Sequence, residues 1–256
     1  MTKRQKFVIS SLLLVSGFFL IQFVDFDLRY QAIAGLTALS LVLTFWALRE
    51  ELGKDATLLA LILPSFFTAG VGLFWFLLPT TLFIRIPILI LYALGVYALF
   101  LTSNIYTVAT DRTIALLRAA HAVGFLLTLV ASFLLFDTVL SLRADFWVNG
   151  ISAALISLPL LLQGFWSTEL ERSLSREVIY LSAGLALIVG QFATILSFWP
   201  VTVPVGALAL TTVLYVGLGL GQAKLQQRLF DKTIRQYLLV GLIVFVTMFL
   251  TARWGG

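Results

Sequence analysis

The chain has 256 residues, 61% of them hydrophobic and 11% charged, with a net charge of +5. Soluble domains carry about 25% charged and roughly 45–50% apolar residues, so a mean hydropathy of +1.05 excludes a soluble fold and places the chain in a bilayer. With no cysteine and one histidine, disulfides, thiolate metal sites, a cysteine nucleophile and multi-histidine metal centres are excluded; no cofactor is expected.

The amino-terminal stretch "MTKRQKFVISSLLLVSGFFL" couples a basic segment to an apolar one, as a signal peptide does. Bulky residues follow where a small-x-small cleavage site would stand, so it reads as an uncleaved first span. A spanning helix needs about 20 mostly apolar residues. In chain order the candidates are 7–24, 32–48, 57–78, 86–105, 115–136, 147–166, 178–198, 201–221 and 237–253. The seventh and eighth meet at "FWPVTVP", where Pro200 and Pro204 force a tight turn. Pro64 and Pro159 fall inside spans and predict kinks. The fold class expected is an all-α, polytopic membrane bundle of nine helices.

Basic residues orient the bundle. With the N-terminus inside, the inner segments hold 13 of the 17 Lys and Arg, and each outer segment holds one. This is the positive-inside asymmetry, and it accounts for the net charge without any nucleic-acid partner. A multi-pass plasma-membrane protein follows, with a cytoplasmic N-terminus and an extracytoplasmic C-terminus. All six tryptophans (46, 75, 147, 166, 199 and 254) fall near predicted span ends, where an amphipathic ring sits best.

Two stretches echo each other. "DLRYQAIAGLTALSLVLTFWALREEL" from Asp27 and "DFWVNGISAALISLPLLLQGFWSTELERSL" from Asp145 share an aspartate, a Phe-Trp pair and an acidic-basic cluster. Gly70 and Gly190, Pro79 and Pro200, and "DRTI" at Asp111 and "DKTI" at Asp231 continue the series at offsets of 120 or 121 residues. The pattern predicts a parallel tandem repeat of four helices, residues 1–110 and 111–230, with a ninth helix over 231–256.

Few residues carry chemistry. "DRTIALLRAAH" holds Asp111, Arg118 and the single His121 before the fifth span. Asp111 and Asp231 are suited to cap the helices that follow them. Arg118 and His121, three apart, share a helix face. Arg118 sits at the inner boundary of an apolar run from Ala119 to Phe136, and His121 lies about 4.5 Å deeper at 1.5 Å per residue. They are a candidate binding pair or pH-sensitive gate. No buried acid or lysine is expected within the spans, which weighs against ion-coupled transport. The buried polar candidates are Gln22, Gln163, Gln191 and Asn104, with Thr194 and Ser197 nearby; glutamines there bridge helices. Glu50, Glu51, Glu169 and Glu171 stand among arginines and lysines and read as solvated loop pairs. "GLGLGQAKL" lacks phosphate-loop spacing, and Gly217 and Gly221 form a small-xxx-small packing pair.

Asp25 and Asp27 follow the first span on its outer side. In that placement alone the chain resembles the polyprenyl-linked glycosyltransferases of the large multi-span class, which carry an essential acidic residue in their first outer loop. The resemblance implies a lipid-linked glycosyl transfer using Asp25 or Asp27. The loop here spans only residues 25–31, however, where that of the family is long and structured.

Three functions are therefore expected in descending order. The first is a scaffold or partner subunit without catalytic machinery, whose partner is another membrane protein. The second is a carrier for a lipid or small weakly polar molecule between the repeats, with Gln22, Arg118, His121, Gln163 and Gln191 as candidate ligand-binding residues. The third is the transferase.

Overall fold

The computed structural model describes residues 2–49, 52, 55–78, 82–110 and 115–252. Among these, nine helical segments are long and apolar enough to cross a membrane, the third (Thr57–Trp75) by joining a 3₁₀ turn to its α-helix, and there is no strand. They are α1 (Lys3–Ile21), α2 (Arg29–Leu48), α3 (Ile62–Trp75), α4 (Leu82–Ala109), α5 (Leu117–Ser141), α6 (Phe146–Glu169), α7 (Arg176–Leu196), α8 (Val203–Leu225) and α9 (Asp231–Thr251). The chain is a polytopic helical membrane bundle, because only helices satisfy every backbone group within the segment itself in hydrocarbon.

Helix ends differ from expectation where a polar residue or proline looks like a stop. The third span begins as a 3₁₀ turn, Asp55–Leu61, and becomes α-helical only at Ile62. Pro64 then falls in the first α-helical turn, where its missing N–H costs no intrahelical bond. The helix type changes just before it, from 3₁₀ to α. α4 starts at Leu82, before Pro87, and continues to Ala109. α5 runs through Asp137 to Ser141, and α6 runs through Pro159, which deprives the Leu155 carbonyl of its usual donor. Pro204 sits in the first turn of α8 and so begins that helix.

Caps also follow local chemistry. Thr2 accepts a bond from the Gln5 N–H, and the Gln5 side chain accepts one from the Thr2 N–H, a capping box on α1. Ser175 accepts from the Val178 N–H at 3.2 Å at the start of α7. Asp231 makes no such bond: it is the first residue of α9, after Phe230 in the cap position. Its charge still meets the positive helix start. Asp111 lies outside the described residues, as do Arg112, Glu50, Glu51, Lys54, Pro79 and Trp254.

The chain divides into two compact units, Met1–Ala131 with Leu170–Ser173, and Ser132–Glu169 with Leu174–Gly256. In the first unit, α1 packs on α2 and α4, and α3 on α2 and α4. Its centre is aromatic: Phe18 meets Trp75 edge-on at 5.0 Å and Tyr92 at 4.7 Å, and Phe67 stacks on Tyr92 at 6.1 Å. A hydroxyl chain runs through this apolar centre. Tyr92 Oη donates to Thr68 Oγ1 at 3.3 Å, Thr68 donates to the Pro64 carbonyl at 2.8 Å, and Ser40 Oγ donates to the same carbonyl at 3.3 Å. It ties α2, α3 and α4 together where no water competes.

In the second unit α8 is the hub. Its "GLGLG" turn offers three glycines to three neighbours. A Cβ on Gly217 would come within 2.9 Å of Leu185 of α7; one on Gly219 would overlap the Tyr237 ring of α9; one on Gly221 would overlap the Phe165 ring of α6. α6 and α7 cross closely at Gly150 and Gly190, whose Cβ would reach the Gly150 carbonyl at 2.8 Å. Small residues let helix backbones approach in lipid, where hydrophobic burial supplies no drive for association. Trp75 and Trp166 contradict their reading as interface anchors, being 5% and 1% exposed and packed inside the protein.

Candidate functional site

The residues singled out for chemistry are dispersed. Arg118 is the second residue of α5 and is exposed; His121, one turn on, is half-buried. The His121 ring lies 5.7 Å from the Tyr106 ring, and Tyr106 donates its hydroxyl to the Ala120 carbonyl at 2.9 Å. Gln22 is the half-buried C-cap of α1, followed by the exposed Asp25 and Asp27. In the second unit Gln163 is 2% exposed on α6, with no bond to its Oε1, whereas Gln191 on α7 is exposed. Gly150 faces Gly190 at the α6–α7 crossing, so Gln163, 13 residues further along α6, lies roughly 20 Å along the axis from Gln191. Of the five, only Arg118 and His121 share an element.

The structure also holds polar groups that the sequence reading missed. Asp137 is 4% exposed, and its Oδ1 has no hydrogen-bond partner. It is a buried acid inside a spanning helix, against the expectation of none, because α5 continues one turn past it. Asn149 near the start of α6 donates to Ser197 Oγ at 3.0 Å and to the Ala144 carbonyl at 3.3 Å, while its Oδ1 is unbonded. An internal acid among mostly leucine and phenylalanine was the available signal, and its position near the span end disguised it.

A prominent groove is apolar. α7 and α9 each pack on α8, and between them runs a groove of about 840 Å³ whose floor is α8. Leu185, Ile188 and Phe192 line one wall, and Leu242, Phe245 and Met248 the other. Met248 is the one side chain recorded as buried on α9 among the described residues. α9 therefore stands away from α7 and leaves the gap open along its side, where Leu242 is 63% and Ile195 53% exposed. Along α8 the groove extends from Ala209 to Lys224, about 22 Å at 1.5 Å per residue. That is most of a hydrocarbon core about 30 Å thick. Trp199, at one end, meets Phe245 edge-on at 5.8 Å and Phe249 at 6.3 Å. Lys224 stands at the other, paired with Glu177 at 2.9 Å.

Polar atoms are scarce between these ends. Thr212 lines the groove, and its hydroxyl donates to the Leu208 carbonyl at 2.8 Å within α8. Apart from Thr212, the described side chains midway along the groove are apolar, and hydrocarbon is the chemistry it accommodates. Among the described residues, no cluster of three or more His, Asp and Glu could hold a metal.

The model of a family described as a protein of unknown function (DUF5656) matches residues 9–251. No curated protein matches the chain, and no solved structure does.

Proposed function

The chain belongs to the DUF5656 family of proteins of unknown function, and on that premise we propose that it is a multi-pass membrane protein that binds the hydrocarbon of a lipid in the groove among α7, α8 and α9. The observation that carries this reading is a cleft of about 840 Å³, apolar along its length and charged at one end. Small-ligand pockets run to about 300–1,000 Å³. The groove opens sideways along α7 and α9, where the acyl chains of the bilayer reach it directly.

The partner-subunit reading keeps one specific support. α9 presents its whole outer face, with Leu239, Val246 and Leu250 among its exposed residues, and a second membrane protein would cover it. The transferase reading has less. Asp25 and Asp27 are both exposed, whereas glycosyl transfer asks for a carboxylate held in a cleft against its substrate. The basic-residue asymmetry supports a reading in which the Lys224 end of the groove faces the cytoplasm at a plasma membrane.

Native mass spectrometry of the chain, purified in mild detergent, tests the reading. The expected spectrum is a protein carrying one or two lipid-mass adducts that survive gentle activation. A bare chain at every lipid concentration overturns it, and a bound polypeptide instead supports the subunit role.

A further inference from the structure

We infer that the lipid held in this groove is anionic, with its phosphate at Lys224. The inference rests on the lipid-binding reading and names the headgroup class.

Among the described residues, Lys224 is the only charged side chain that lines the groove. It is anchored on the last turn of α8, and its half-exposed side chain meets Glu177. The rim itself is built by a rigid turn. Gln227 takes a left-handed conformation, φ 55°; its N–H bonds the Lys224 carbonyl at 2.9 Å, and the Arg228 N–H bonds the Ala223 carbonyl at 2.8 Å. This is a Schellman closure without its usual glycine. It folds Arg228 back against the end of α8 and sets Leu229 into the groove lining.

The charges at this end of the second unit are Arg176, Lys224, Arg228, Lys232 and Arg235 against Glu169, Glu177 and Asp231, an excess of two positive charges. A zwitterionic headgroup leaves that excess uncompensated; an anionic one offsets it. Glu177 is the present partner of Lys224, each side chain about half exposed. Such a pair is weak, so a phosphate entering beside the acyl chain can exchange with the Glu177 carboxylate. Lys232 and Arg235 line a separate, smaller pocket with Leu239 and Val240, on a face of α9 other than the one that carries Leu238, Leu242 and Phe245 to the groove. They serve as charge controls at the same membrane depth.

The test is a titration of delipidated protein in non-ionic detergent with phosphatidylglycerol or phosphatidylcholine of identical chains, read by native mass spectrometry. Wild type is expected to prefer phosphatidylglycerol by about fivefold, the scale of a half-exposed ion pair. Lys224→Gln should abolish the preference while keeping the phosphatidylcholine adduct. Glu177→Gln should sharpen the preference by releasing Lys224, and Lys232→Gln should leave it unchanged. Equal binding of both lipids by wild type, or an equal loss from Lys224→Gln and Lys232→Gln, overturns the headgroup assignment and leaves the groove reading standing. Gly241→Leu separates the two: its new side chain fills the groove against Val216, so both adducts should vanish. If both persist, the lipid sits elsewhere and both readings fall.

Discussion

A single hydroxyl shows how costly polarity is inside this bundle. Thr68 accepts the Tyr92 proton and passes its own to Pro64, and both side chains are 1% exposed or less. Thr68→Val leaves the Tyr92 hydroxyl buried without an acceptor, which costs about 1–3 kcal/mol. Thermal unfolding in detergent should show Thr68→Val melting well below wild type, and the double variant Thr68→Val/Tyr92→Phe recovering most of the loss. If the double variant is additive, the two hydroxyls are not coupled. Asp137 is the opposite case. A buried carboxyl with one unbonded oxygen near a helix C-terminus pays for desolvation and meets the negative end of the dipole. Asp137→Leu is expected to melt at or above wild type. A fall of several degrees in its melting temperature would instead show that the carboxyl holds a partner worth its burial.

At the scale of elements, a glycine docks the first turns of α9 on α8. Gly219 admits the Tyr237 ring, which also meets Tyr215 at 5.0 Å. Gly219→Leu should push α9 off α8. Because the chain has no cysteine, a disulfide engineered between the Gly217–Gly221 turn and the first turns of α9 would report this cleanly. Cross-linking is expected in the native background and to be lost with Gly219→Leu; retention would mean that α9 is held elsewhere. The elements themselves were legible in the sequence, because 18-residue apolar windows have one stable solution in lipid. Their ends were less so. Asp137, Pro87 and Asp55 look like breaks, yet a helix tolerates each: the aspartate by burial, the proline near the start of α4, and residues 55–61 by tightening to a 3₁₀ turn. Trp166 misled for the same reason, since proximity to a span end does not say which face a ring occupies.

At the scale of the molecule, the groove was not legible at all. Leu185, Ile188, Leu242 and Phe245 are the residues any lipid-facing helix carries; what makes a cleft is the divergence of α7 and α9 on α8, a tertiary fact. The charge asymmetry was legible, and it makes a definite prediction about orientation. Single cysteines at Gln227 and at Ala144 should react with a membrane-impermeant maleimide from opposite sides of sealed vesicles, Gln227 from the cytoplasmic side. Labelling of both from one side would overturn the assigned topology.

The open flank of the groove has a thermodynamic corollary. A site that faces the acyl chains sideways has no aqueous path to cross, so its occupant exchanges with the surrounding two-dimensional solvent. Occupancy then follows the mole fraction of a lipid in the bilayer and is indifferent to its total amount in the sample. A chain built this way would register membrane composition continuously, as an electrode registers activity, and its ligand would never be scarce, only diluted.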